Sequence, residues 1–168
     1  MAEKNGVLHR LGVLALFILA CESAGVVGSL FTIQSIPTWY ASLVQPPFSP
    51  PNWAFAPVWT ILYALMGVAV FLVWEHMQAA GARKGRVSAA LNMFGGQLIL
   101  NVLWSVGFFG MHSPLFGLLI IILLLFTIAL TMWRFYFIDK RAFWLMAPYI
   151  VWVCFALLLN FYIFALNP

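Results

Sequence analysis

Apolar positions run along this chain in five blocks, each bounded by polar or turn-forming residues: Leu11 to Phe31, Ala54 to Trp74, Val87 to Phe109, Leu115 to Trp133 and Phe143 to Phe164. Each is close to the roughly 20 residues that an α-helix needs to cross the hydrocarbon core of a bilayer. The pattern predicts an all-α membrane protein, a single domain over residues 1–168 built as a bundle of five transmembrane helices. With 65% of residues hydrophobic and 7% charged, against roughly 25% charged in a soluble domain, no separate soluble domain is expected.

The polar positions set the orientation. All eight Lys and Arg residues fall in three segments: Lys4 and Arg10, then Arg83, Lys84 and Arg86, then Arg134, Lys140 and Arg141. Five spans put these segments on one side, and the other side carries none. By the positive-inside rule the N-terminus is cytoplasmic and the C-terminus lies opposite. The net charge of +4 therefore marks orientation, and no nucleic-acid partner is implied, since no basic stripe or patch is present. The first block runs on through Val26, Val27, Leu30 and Phe31, too long for a cleaved signal sequence, and is expected to stay as a helix.

The segment from Thr32 to Asn52 holds five prolines, Trp39 and Tyr40 and no charge. A disordered loop of that length would be polar, so this one is expected to fold over the helix ends as a lid. Pro50, Pro51 and Asn52 break the chain before the second helix. The segment from Glu75 to Arg86 reads as a solvated connector. The fourth block is nearly all Leu and Ile apart from Thr127 and Thr131, so it should face lipid over much of its surface. Gly25 and Gly28 with Ala24 and Ser29 form a small-residue ridge that favours close helix packing.

Few residues offer chemistry. Glu22 is the one carboxylate deep in a span, and it reads either as a protonated or hydrogen-bonded structural side chain or as a functional one. Gln97, Asn101 and Trp104 share a helix face by spacing, and such amides need partners in hydrocarbon. Of eight tryptophans, Trp74, Trp133 and Trp144 fit an interfacial belt. Trp59 with Tyr63, and Tyr149 with Trp152 and Ala156, form stripes inside spans. These stripes are either core packing or the lining of a flat aromatic cavity opening toward the Pro-rich segment. Cys21 and Cys154 suggest small buried residues, and His9, His76 and His112 are too scattered for a metal site.

Several of these residues stand in motifs. Trp39-Tyr-Ala-Ser-Leu43, Pro46, Pro50-Pro51-Asn-Trp53, Pro57-Val-Trp59, Leu62-Tyr63, Met66-Gly67 and Leu72-Val-Trp74 resemble the TspO/MBR family of translocator and tryptophan-rich sensory proteins. Gly96-Gln-Leu98, Asn101, Trp104 and Phe108-Phe-Gly110 resemble its third helix, and Pro148-Tyr149, Trp152, Phe155-Ala156 and Leu159-Asn160 its fifth. The resemblance implies a five-helix bundle in the cell membrane, usually a homodimer. Its cavity would bind porphyrins such as protoporphyrin IX or haem-like tetrapyrroles, and drug-like planar ligands. The lining positions carried over by motif are Tyr40, Pro50, Trp59, Tyr63, Asn101, Trp104, Trp152 and Ala156.

Light-dependent porphyrin degradation in some members implies a role for Trp59 and Trp152, the sole catalytic candidates. Phe161 and Ala165 stand where the cholesterol-recognition pattern has Tyr and Arg, so specific cholesterol binding is not expected. That departure and the short tail point to a prokaryotic member. The function implied is a receptor or sensor for tetrapyrroles, with a pigment-degrading enzyme or a porphyrin transporter as alternatives.

Overall fold

The computed structural model describes residues 2–78 and 82–167. The described residues form six α-helices and short turns: α1 (Ala2–Ser35), α2 (Phe55–Trp74), α3 (Ala82–Ser105), α4 (Pro114–Ile138), α5 (Lys140–Leu145) and α6 (Ala147–Leu166). Five segments are long and apolar enough to cross a membrane, the fifth being α5 and α6 together. In hydrocarbon each backbone N–H and C=O must be paired within its own segment, so these apolar runs have no alternative to the helix. The bundle packs α1 on α2 and α3, α4 on α3 and α6, and α5 on α2 and α4.

Helix α4 turns the stripe Gly117, Ile121, Leu124, Ile128, Thr131, Met132 and Phe135 inward, at the three- and four-residue spacing of one helix face. Leu119, Ile122, Leu123 and Phe126 face outward, as an apolar surface in lipid should. Helix α1 is the most peripheral: only 11% of its apolar window is buried, against 33–44% in the other four. Close approach of α1 to α2 depends on glycines. A Cβ on Gly67 would lie 2.5 Å from the Ile18 Cα, and one on Gly25 would lie 2.5 Å from the Tyr63 ring.

The ends of the helices differ from the expected boundaries. The segment from Thr32 to Asn52 is not one long loop, because α1 continues to Ser35 and then widens into a π-helical turn over Ile36–Tyr40. The hydroxyls of Thr32 and Thr38 bond back to the Ser29 and Gln34 carbonyls, so these polar residues are absorbed by the helix. Pro37 lacks an N–H, and the wide turn at that point swings Tyr40 into the core, where it is 2% exposed.

The remaining irregular stretch packs against α6. There Phe48 meets the edges of Phe155 and Tyr162, and the Asn167 side chain pairs with both backbone groups of Val44. At the other side Ala82 already begins α3, so much of the expected connector is helical. The fifth crossing starts at Lys140 and breaks at Met146, two residues before Pro148.

A second wide turn, Val106–Gly110, ends α3 and lets the consecutive Phe108 and Phe109 both point inward. It is held by Ser35, whose hydroxyl donates to the Phe109 carbonyl at 2.8 Å, and by His112, which stacks on Trp39 at 4.8 Å. His112 adopts φ 52°, a left-handed conformation that closes this turn before Ser113 caps α4.

Charged contacts gather at the opposite end. Arg10 donates to Glu75 at 2.8 Å, His76 lies 3.4 Å from Asp139, and Asp139 accepts from both the backbone and the guanidinium of Arg141. These contacts bring Arg10 of the first basic segment to the Glu75–His76 turn, and His76 to Asp139 and Arg141 of the third.

Candidate functional site

The aromatic stripe on α2 and the polar face on α3 meet in the middle of the bundle. Trp59 stacks on Tyr63 one turn away, with centroids 5.5 Å apart, and leans on Trp104 of α3 at 6.4 Å. Beneath them the Tyr63 hydroxyl donates to Asn101 Oδ1 at 2.6 Å, and Asn101 Nδ2 donates to the Tyr149 hydroxyl at 2.9 Å. One amide thereby joins α2, α3 and α6, all three side chains being buried. Toward the other end of the bundle, Asn160 accepts from the Trp104 indole at 3.2 Å and donates to the Pro114 carbonyl at 2.8 Å. These bonds fix the ring planes, since an indole or phenol in hydrocarbon turns until its polar atom is satisfied.

Trp59, Trp104, Phe55 and Phe109 form a partition with different surroundings on its two faces. On one side lies a cleft of about 410 Å³ between α1, α2 and α3, lined also by Tyr63 and Asn101 and by Glu22, Gly25, Gly28, Ser29 and Thr32 of α1. Its size falls in the range of small-molecule sites. Val26, Ile33, Ala56 and Thr60, which also line it, are exposed, so the cleft opens sideways between α1 and α2. On the other side Tyr40, Trp152, Phe155, Ala156 and Leu159 close around a space of about 20 Å³, too little for more than a water.

The residues expected from the sequence are therefore divided. Trp59 and Trp104 border both spaces, Tyr63 and Asn101 line the open cleft, and Tyr40, Trp152 and Ala156 line the closed one. Pro50 borders neither. Trp152 packs on Phe155 at 5.5 Å and Phe55 at 6.3 Å. The Tyr40 hydroxyl is buried without a hydrogen-bond partner among the described residues. Gln97 is fully buried and its amide too has none, so it does not join Asn101 and Trp104 on the cleft. Trp133 and Trp144 are 59% and 68% exposed, as a belt requires, whereas Trp74 packs on Phe17 and Phe71.

Sequence reasoning missed Phe55 and Phe109. Phe55 stands four residues before Trp59 on the same face and was visible by spacing. Phe109 was not, because only the wide turn brings it round beside Phe108. Glu22 lies on the cleft wall and makes no hydrogen bond or ion pair with any described residue. No group of three or more His, Cys, Asp and Glu residues that could hold a metal occurs among the described residues.

Known proteins are similar to this chain over most of its length. A model of the TspO/MBR family matches residues 17–166. The chain is 46% identical over 155 residues to the tryptophan-rich protein TspO of Chlorobaculum tepidum, covering 92% of this chain and 96% of that one. It is 34% identical over 151 residues to the tryptophan-rich sensory protein of Cereibacter sphaeroides, with 90% and 89% covered. To the translocator protein of Homo sapiens it is 34% identical over 145 residues, with 86% and 84% covered.

Proposed function

The chain belongs to the TspO/MBR family of multi-pass membrane proteins, and from that premise we propose that it is a membrane receptor or sensor that takes up a tetrapyrrole of the protoporphyrin IX kind. Relatives named as sensory and translocator proteins support a sensor- or transporter-type role in the membrane. Their bacterial members support a prokaryotic cell membrane as its place. The observation that carries the ligand class is the fixed indole wall, with Trp59 and Trp104 side by side over an open cleft of about 410 Å³. A planar apolar macrocycle gains most from such a wall, because its whole face is removed from competing contacts. The protein is taken to act as a homodimer, with planar drug-like molecules as further ligands of the same cleft. It needs no obligatory cofactor.

The test is a tryptophan-quenching titration with protoporphyrin IX on the purified protein. Trp59→Ala removes an anchor that faces the ligand, which typically costs at least about 2 kcal/mol, or roughly thirtyfold in affinity. Trp152→Ala is expected to cost less, since Trp152 sits behind Phe55 on the closed side. Trp133→Ala, on the outer surface, should leave affinity unchanged. Equal losses for Trp59→Ala and Trp133→Ala, each purified as the wild-type oligomer, would place the ligand elsewhere.

A second reading, light-dependent porphyrin degradation, draws on the ring contacts of Trp59 with Tyr63 and Tyr149, which put oxidisable side chains against the ligand's seat. Incubation with protoporphyrin IX in the dark and under illumination separates the two. A binder alone gives no light-dependent product, and a degrading enzyme gives one that falls in Trp59→Phe.

A further inference from the structure

We propose that the inner end of the cleft is a subsite for a protonated amine, with Glu22 as its counter-charge, so that planar aromatic amines are bound in preference to neutral molecules of the same shape. This rests on the cleft being a ligand site and specifies which ligands it selects. Glu22 lines the cleft one turn before Gly25, whose α-carbon faces the Tyr63 ring, so its carboxylate stands at the level of the Tyr63 and Asn101 end. The opposite end, at Thr32, Ile36 and Asn52, is about 20 Å away along α1 at 1.5 Å per residue.

Several of the polar groups in between are already committed. The hydroxyls of Ser29, Thr32 and Thr60 donate to the carbonyls of Val26, Ser29 and Ala56, and Tyr63 donates to Asn101. Ser105 and Asn52, which also line the cleft, are neutral, whereas Glu22 is its one carboxylate among the described residues and an acceptor with no donor there. No cleft-lining residue is basic. A carboxylate within a bilayer is costly unless it is paired or protonated, and since the described residues supply no partner, a cationic ligand would supply the complementary group. An ammonium brings both the opposite charge and three donors, and the indole wall beyond it suits an aromatic body. Glu22 lies near the midpoint of the Gly6–Tyr40 span, out of reach of a lipid headgroup amine, which points to a free amphiphilic amine.

The experiment uses a matched pair, pyrenemethylamine and pyrenemethanol, which share a planar body and differ in charge at neutral pH. Energy transfer from protein tryptophan to pyrene is titrated in detergent and corrected for partition into empty micelles. The wild type is expected to bind the amine at least about tenfold more tightly than the alcohol, as a charge-assisted contact exceeds a neutral one. Glu22→Gln should abolish that ratio and leave the alcohol unchanged, while Glu22→Asp, which keeps the charge, should retain part of it. An unchanged ratio in Glu22→Gln, or a parallel loss for both probes, would overturn the proposal. Protoporphyrin IX, a dicarboxylate, should bind Glu22→Gln at least as well as wild type. Absence of porphyrin binding to the wild type would sink the tetrapyrrole reading while leaving the amine preference to stand or fall on the pyrene pair.

Discussion

Replacing Asn101 with Leu tests the amide that joins three helices. The side chain is 2% exposed, and Leu shares its branched skeleton though its methyl groups are bulkier, so the substitution deletes the hydrogen bonds without opening a cavity. Two phenols lose their partner. Tyr63 borders the open cleft, where its hydroxyl can find water or a ligand, but Tyr149 is 0% exposed and its hydroxyl has no other partner among the described residues. A buried polar group stripped of its partner costs about 1–3 kcal/mol, whereas interhelical hydrogen bonds in bilayers average about 0.6 and reach about 1.7 kcal/mol. One stranded and one rescued hydroxyl give an expected loss of about 1–2 kcal/mol by those magnitudes. Reversible unfolding in mild detergent with rising SDS measures it.

Tyr149→Phe in the Asn101→Leu background should recover most of that loss, since removing both partners of a buried bond is nearly neutral. Tyr63→Phe in the same background should recover less. The reasoning is refuted if Asn101→Leu matches wild type, or if the two double variants recover equally.

Gly67→Ala should destabilise by about 1–3 kcal/mol, because its Cβ meets Ile18 backbone that cannot rotate away, while Gly95→Ala, with nothing within 4 Å, should not; thermal unfolding compares them. The Asp139 carboxyl is held down at about 2, first by the hydrogen bond from the Arg141 side chain, with the Arg141 backbone and His76 adding to it. Its folded value lies below the ordinary value of about 4, so its stabilisation is complete above that range and is lost as pH falls from about 4 toward 2. Asp139→Asn should flatten the stability profile in that window. For orientation, a cysteine at Ser49 should be labelled from outside sealed cells and one at Gly85 should not, and labelling at 85 would invert the bundle.

The five crossings were legible because hydrocarbon leaves an apolar run of that length no other fold. Their ends were not, since Thr32, Ser35 and Thr38 look like loop by polarity, yet Thr32 and Thr38 bond back to carbonyls of the same helical run and Ser35 bonds across to the Phe109 carbonyl. The pairs Trp59 with Tyr63 and Asn101 with Trp104 were legible from spacing, and they do meet. Spacing alone cannot say which face of Trp59 is open. That depends on which helix stands opposite, so Trp152 and Ala156 were grouped with residues from which the partition separates them. Pro50 was carried over by motif, and the cleft passes it by. For Glu22 the sequence left two readings, and only the packing of α1 on α2 brings it to the cleft wall.

Why one face of the partition is open follows from side-chain size. Against the closed face stand Tyr40, Phe108, Trp152, Phe155, Leu159 and Ile163, which fill the space between α2, α3 and α6. Against the open face α1 presents Gly25, Gly28 and Ser29, and α2 presents Ala56 and Thr60. The small ridge of α1 therefore has two effects. At Gly25 it admits the Tyr63 ring to close contact, and beside it the missing side chains leave room along the indole wall. Because α1 is also the least buried helix, the cleft meets the bilayer directly between α1 and α2. A hydrophobic ligand dissolved in the membrane would reach Trp59 by that lateral route without displacing the segment that packs on Phe155 and Tyr162.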